Sequence, residues 1–156
     1  MDTPTGTLDR EAQRRLGVEL FNRTWTLIAK EGRTPEDDDE LVHCAHASAY
    51  HWLHAGGTAA NRARSEWQCS RVYSMLGRGG PARDHAGRCL EIVEAHPAEM
   101  EDWDLPFAYE ALARASAVAG DPAAREWLER ARRAGEGIAE PEERELLVAD
   151  LETIRI

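Results

Sequence analysis

The sequence predicts an all-α protein of the helical-hairpin repeat class, a right-handed superhelix of about three hairpins closed by a C-terminal capping helix. Apolar residues recur with helical spacing along nearly the whole chain, and no segment alternates apolar and polar residues as a strand would. A helix, a glycine, a proline and a second helix also recur three times, with the glycines at Gly32, Gly77 and Gly120.

The first hairpin is predicted over residues 8–55, with helices at 8–31 and 36–55. Gly32 can adopt the left-handed backbone conformation that ends a helix. Pro35 suits the first turn of the next helix, where its missing N–H costs nothing. These two residues therefore define the turn of the hairpin.

Two further hairpins are predicted over residues 59–96 and 102–137. Thr58 is expected to cap the first of them, because its hydroxyl can accept a hydrogen bond from a free N–H of the first turn. Pro81 and Pro122 are expected in the first turn of the second helix of each hairpin. The helices of these two hairpins are predicted at residues 59–77, 80–96, 102–119 and 122–137.

A seventh helix is predicted over residues 141–154, beginning at Pro141. Hairpins of this period cannot bury their apolar faces alone, so they are expected to stack, and the last helix would cover the open end of the stack. The apolar residues expected on its covering side are Leu146, Leu147, Leu151 and Ile154.

Length and charge narrow the class of protein. A chain of 156 residues favours one domain, residues 1–156, of which residues 1–7 are expected to be flexible. The net charge of -10 argues against nucleic acid and membrane surfaces as partners. No apolar run is long enough to span a membrane, so a cytoplasmic location is expected. Three isolated cysteines are predicted to be buried thiols: Cys44, Cys69 and Cys89.

Residues 59–137 resemble the tetratricopeptide-repeat family in the positions of an inter-helix aromatic, the turn glycines and several small packing residues. In the predicted second hairpin, the matching residues are Tyr73, Leu76, Gly77, Ala82 and Leu90. In the predicted third hairpin, they are Leu112, Ala113, Gly120, Ala124, Leu128 and Ala131.

The chain is also similar to an uncharacterised bacterial branch of helical-repeat proteins, which brings no activity with it. The residues that carry this similarity are His43, His46, Tyr50, His51 and Trp52. The tetratricopeptide resemblance implies that the first helix of each hairpin lines a concave groove. We therefore expect a binding or scaffold protein that holds a partner peptide, protein or small ligand there.

Arginines and aromatic residues are interleaved on the helices that would line this groove, a combination suited to binding peptides or acidic ligands. The candidate binding residues are Arg64, Trp67, Arg71, Trp103, Phe107, Glu110 and Arg114. The alternative is structural: Trp67, Trp103 and Phe107 would fill the space between hairpins, and Glu110 would pair with an arginine.

Four of the six histidines lie in the predicted helix 36–55. At about 100° per residue, the core side of this helix carries apolar and small residues, and a narrow stripe lies opposite. The core side comprises Leu41, Ala45, Ser48, Trp52 and Ala55, and the stripe comprises Asp39, His43, His46, Tyr50 and His54.

Three interpretations of this stripe remain open. Glu40, His43 and His46 have the spacing to offer one carboxylate and two imidazoles to a divalent metal ion. An acid/base enzyme would instead use His43, His46 and Tyr50 as catalytic groups. The third interpretation is a homo-oligomer that buries the stripe against a second copy.

Overall fold

The computed structural model describes residues 8–156, and these form an all-α protein in which no strand occurs. The predicted fold class is thereby confirmed at the level of seven α-helices packed as adjacent antiparallel pairs. The predicted flexibility of residues 1–7 lies outside the described residues. The helices are α1 (Arg10–Ala29), α2 (Pro35–His54), α3 (Ala59–Met75), α4 (Gly79–Ala95), α5 (Asp104–Val118), α6 (Ala124–Gly135) and α7 (Pro141–Glu152).

Helix ends agree with the prediction to within two residues, and several of the predicted signals are in place. Pro35 and Pro141 are the first residues of α2 and α7. Thr58 accepts a hydrogen bond from the N–H of Asn61, as predicted for a cap.

The prediction that Pro122 lies in the first turn of a helix is wrong, because Pro122 precedes α6, which begins at Ala124. The Asp121 carboxylate accepts a hydrogen bond from the N–H of Ala123 and so closes a turn before the helix. An unpredicted short 3-10 helix, Pro97–Glu99, follows α4.

The chain divides into two compact units, Met1–Gly57 and Thr58–Ile156. In the first unit α1 and α2 cross closely at Gly17. The Ser48 hydroxyl on α2 donates a hydrogen bond of 2.7 Å to the Gly17 carbonyl. A Cβ atom on Gly17 would lie 3.0 Å from Nε1 of Trp52, so glycine permits this approach.

The second unit contains α3–α7, and its core is unusually rich in alanine. Small side chains let the helix backbones approach closely where α4 packs against α5. The buried alanines of that contact are Ala82, Ala86, Ala111 and Ala115. A second cluster joins α5, α6 and α7 around Phe107, Ile138 and Leu147.

The joints of the second and third hairpins have the same geometry. Gly77 and Gly120 have left-handed φ values of 72° and 70°. At the first joint the N–H of Arg78 donates a hydrogen bond of 2.9 Å to the carbonyl of Tyr73, and at the second the N–H of Asp121 donates one of 2.8 Å to the carbonyl of Ser116. This hydrogen bond, which spans the glycine, is characteristic of the Schellman motif. Gly32 is also left-handed, but Lys30 ends α1 in an extended conformation and no such bond forms. The equivalence predicted for all three joints therefore holds in full only for the last two.

Helix α7 covers α5 and α6 with a narrower apolar side than predicted. Leu147 and Leu151 are buried and Ile154 packs against the same cluster. The prediction for Leu146 is wrong, because its side chain is 53 % exposed. Leu146 lies about 100° around the helix from Leu147, which turns it away from the covered side.

Cys44, Cys69 and Cys89 are buried free thiols, as predicted. Burial raises the pKa of the Cys69 thiol to about 12 and that of Cys89 further still. Within residues 8–156 no helix combines the length and the hydropathy required to cross a membrane.

Candidate binding site

The residues predicted to line the groove come together where α3 packs against α5. Arg64 on α3 makes a two-pronged ion pair with Asp104 at the start of α5, with N–O distances of 3.0 and 2.9 Å. The same guanidinium lies 4.2 Å from the ring centre of Trp103, a cation–π contact. Asp104 is buried, so this pair fixes the start of α5 against α3.

Glu110 on α5 is the most deeply buried charged residue of this region, with 1 % of its surface exposed. Its Oε1 accepts hydrogen bonds from Nη1 of Arg71 at 3.2 Å and from Nε of Arg114 at 2.8 Å. Its Oε2 accepts one from the Trp67 indole N–H at 3.3 Å. Two guanidinium groups and an indole thus satisfy a carboxylate that would otherwise be costly to bury.

Arg71 and Arg114 extend this network to α7. Nη2 of Arg71 lies 3.8 Å from the Asp150 carboxylate. Nη2 of Arg114 donates to the backbone carbonyl of Asp150 at 2.9 Å and to the Thr153 hydroxyl at 2.8 Å. Burial and the neighbouring Arg114 lower the pKa of Arg71. The network therefore links α3, α5 and the C-terminal end of α7.

The aromatic residues of the predicted groove pack on one another. Phe107 is buried and meets the rings of Trp67 and Trp103 edge-on, at centroid distances of 6.0 and 6.5 Å. All seven candidate binding residues are thus brought together, but their contacts are largely internal. This arrangement agrees with the structural alternative, in which the aromatics fill space and Glu110 pairs with arginine.

A cavity of about 290 Å³ opens beside this network, between the C-terminal parts of α3 and α5 and the residues that directly follow α7. Its apolar wall includes Met75, Val118 and Ile154. Its polar lining residues are Ser74, Arg114, Thr153 and Arg155.

Three hydrogen-bond donors around this cavity have no acceptor within residues 8–156. The Ser74 hydroxyl is buried and makes no hydrogen bond. Arg114 uses Nε and Nη2 internally but not Nη1. The guanidinium of Arg155 is exposed and forms no ion pair with any described residue. Neither Ser74 nor Arg155 was identified from the sequence, because residue spacing does not show whether a hydroxyl or a guanidinium finds an acceptor in the folded protein.

A second cavity, of about 640 Å³, lies between α6 and α7. Leu147 and Leu151 contribute apolar surface to it, while Arg132, Arg144 and Glu136 lie around it. Nη1 of Arg144 donates a hydrogen bond of 2.7 Å to the carbonyl of Ile138, and this bond stabilises the turn before α7.

The predicted stripe on α2 is exposed along its whole length. Asp39, His43, His46, Tyr50 and His54 are all exposed, whereas Leu41, Ala45, Ser48 and Trp52 on the opposite side are buried. Ala55, the last residue predicted on the buried side, follows the end of α2 and is half-buried. Within the stripe, the ring of Tyr50 lies 4.5 Å from that of His54. The assignment of opposite sides from helical periodicity is therefore confirmed.

Glu40, the carboxylate of the metal hypothesis, is bound by α1. Both its oxygens accept hydrogen bonds of 3.0 Å from Arg23, and this contact lowers the pKa of the Glu40 carboxyl. Across residues 8–156, no three His, Cys, Asp or Glu side chains are grouped so as to hold a metal ion. Metal binding by Glu40, His43 and His46, and acid/base catalysis by His43, His46 and Tyr50, remain predictions.

A histidine–carboxylate pair between α3 and α4 was not predicted. Nδ1 of His85 lies 2.6 Å from Oε2 of Glu66, and the imidazole stacks on the ring of Tyr73 at 5.6 Å. No spacing rule identifies this pair, because Glu66 and His85 are on different helices, 19 residues apart. Both side chains are partly buried, and the pair ties the two helices together.

Comparisons with protein-family models, with curated proteins and with solved structures find no match for this chain.

Proposed function

We propose that this is a binding protein whose unit Thr58–Ile156 holds an acidic group of a peptide, protein or small ligand in the cavity between α3, α5 and the residues after α7. Hairpins α3–α4 and α5–α6 are stacked in this proposal in the manner of tetratricopeptide repeats. Their shared joint geometry and the packing of α5 against both α3 and α4 support that arrangement.

The predicted groove residues act in this proposal as the rigid support of the site. Arg64 and Glu110 are occupied by partners within the chain, so they are unavailable to a ligand. The same contacts fix the guanidinium of Arg114 through Glu110 and α7. A fixed donor loses little conformational entropy on binding, which favours affinity.

The single observation that carries the proposal is the set of unused donors around one cavity. The Ser74 hydroxyl, Nη1 of Arg114 and the Arg155 guanidinium lack acceptors among the described residues, and all three residues line the cavity. A carboxylate has only acceptors to offer and matches such a set. Because the wall near Met75 and Val118 is apolar, the best ligand carries its carboxylate on an aliphatic group.

Calorimetry with N-acetyl-leucine tests this proposal, because that probe joins a carboxylate to an aliphatic side chain. At neutral pH N-acetyl-leucine is ionised; we expect it to bind, and we expect no binding of N-acetyl-leucinamide, which has no charge. Inorganic phosphate, offered separately, shows whether the site takes any anion or requires the aliphatic part.

Arg155→Gln and Ser74→Ala are each expected to weaken binding of the acid by about tenfold, the effect of losing one charge-assisted hydrogen bond. Arg125→Gln is the matched control, because Arg125 is an exposed arginine of α6 that does not line the cavity. Equal binding of acid and amide, or an equal loss in the Arg125 variant, would contradict the proposal.

A further inference from the structure

The exposed stripe of α2 carries complementary groups at its two ends. Asp39 lies near the N-terminal end of the helix and His54 at its C-terminal end, separated by about 22 Å along the axis. His43 and Tyr50 occupy the corresponding inner positions, and His46 lies close to the middle. A carboxylate and a phenol therefore sit at positions that mirror those of two imidazoles.

We propose that this stripe is the contact surface between two copies of the chain, in which the two α2 helices pack antiparallel about a twofold axis. Such a contact is self-complementary, because each pair of residues occurs twice. Asp39 of one copy faces His54 of the second copy, where the carboxylate accepts a hydrogen bond from the imidazole. His43 faces Tyr50 of the second copy, whose hydroxyl donates to the imidazole.

Charge favours this face and this orientation. The chain has a net charge of -10, so two copies repel each other over most of their surface. The stripe itself contains three imidazoles and one carboxylate, and the exposed carboxylate of Glu36 adjoins it at the N-terminal end of the helix. In the antiparallel arrangement both carboxylates lie near the histidine-bearing end of the second copy. A parallel arrangement would place Asp39 against Asp39, and like charges facing each other are destabilising.

Apolar surface adjoins the same stripe. Leu53 is 63 % exposed and Tyr50 is 56 % exposed. Leu53 lies only about 20° around the helix from His46, on the same side as the stripe. An exposed leucine and tyrosine next to hydrogen-bonding groups give the contact apolar area to bury in addition to its polar pairs. This inference concerns the unit Met1–Gly57 and does not depend on the proposed cavity ligand.

Two charge variants test the antiparallel contact. In Asp39→Arg a guanidinium faces His54, and in His54→Glu a carboxylate faces Asp39, so each variant alone loses both end pairs. Both residues are exposed, so neither change disturbs the core. Sedimentation equilibrium is expected to show a dimer for the unaltered protein and about a tenfold larger Kd for each variant alone.

An equimolar mixture of the two variants gives the decisive result. In an antiparallel heterodimer the new guanidinium of the Asp39→Arg copy faces the new carboxylate of the His54→Glu copy. At the other end, the unchanged His54 of the first copy faces the unchanged Asp39 of the second, so both complementary pairs are restored. Native mass spectrometry should detect that heterodimer at clearly more than the twofold excess over either homodimer that random pairing of two equally abundant copies would give. Glu19→Arg is the control, since it changes the charge equally at an exposed position of α1 outside the stripe.

The inference is overturned if the unaltered protein is monomeric, or if Glu19→Arg weakens the dimer as much as Asp39→Arg. A mixture that shows no preference for the heterodimer would also overturn it. Circular dichroism of each variant checks that helix content is unchanged.

Discussion

Gly79, the first residue of α4, lies against the backbone of Ala119 at the end of α5. A Cβ atom at position 79 would come within 2.7 Å of the Cα of Ala119, closer than two such atoms can approach. Gly80, its neighbour in the same turn, has open space where its Cβ would be. The close contact of α4 with α5 therefore depends on glycine at one position and not at the next.

Gly79→Ala is expected to destabilise the protein by about 1–3 kcal/mol, because the backbone of Ala119 must move to make room for the methyl group. Gly80→Ala is expected to be neutral or to stabilise by about 0.5 kcal/mol, because alanine is the better helix former. Urea unfolding followed by circular dichroism measures both. A similar loss of stability in the two variants would show that the contact is not tight.

Glu110→Gln is expected to destabilise the protein by about 3 kcal/mol. It removes the buried carboxylate that Arg71 and Arg114 share, and so leaves two largely buried positive charges without this partner. Glu126→Gln is the matched control. Glu126 also pairs with an arginine four residues later, Arg130, but this pair is exposed and is expected to contribute less than about 0.5 kcal/mol. Chemical denaturation of the two variants under the same conditions provides the comparison, and equal effects would contradict the account of the network.

Asp37 links the stability of α2 to pH. Hydrogen bonds from Lys30 and from the Thr34 backbone lower the pKa of the Asp37 carboxyl from 3.8 to about 2. Since the folded-state pKa is below the unfolded one, the contribution is complete above about pH 4 and is lost as the pH falls through 2. Asp37→Asn should lower the melting temperature at neutral pH but much less near pH 2. Glu36→Gln, an exposed change in the same turn, should show no such difference.

Cys69 and Cys89 are expected to resist alkylation in the folded protein, since both thiols are buried and their pKa values are raised. Iodoacetamide at about pH 8 should label neither of them until urea unfolds the chain. Mass spectrometry of peptides measures the labelling at each site. Rapid labelling of Cys89 without denaturant would mean that α4 opens locally.

Helical periodicity and turn residues were sufficient to predict the seven helices and the buried side of α2. Glycine followed by proline marks a helix end by local backbone chemistry, which depends little on the rest of the fold. Leu146 shows the limit of this reasoning. Leu146 and Leu147 are equally apolar in the sequence, and only the packing of α7 against α5 and α6 decides which of the two side chains is buried.

The candidate site could be predicted only in part. The sequence predicted that Trp67, Arg71 and Glu110 lie on helices lining one groove, and their side chains do contact one another. Whether their polar atoms remain available depends on partners far away in sequence, such as Asp104, which is 40 residues from Arg64. The unused hydroxyl of Ser74 could not be predicted either, because it depends on the cavity that remains in the folded protein between α3, α5 and the residues after α7.

The central claim is that the cavity between α3, α5 and the residues after α7 binds a carboxylate. It is tested most directly by titrating isotope-labelled protein with N-acetyl-leucine and with its amide, while recording backbone N–H resonances. The account predicts saturable shifts at Ser74, Val118 and Arg155 with the acid alone. Shifts confined to other helices, or the same shifts with the amide, would contradict it.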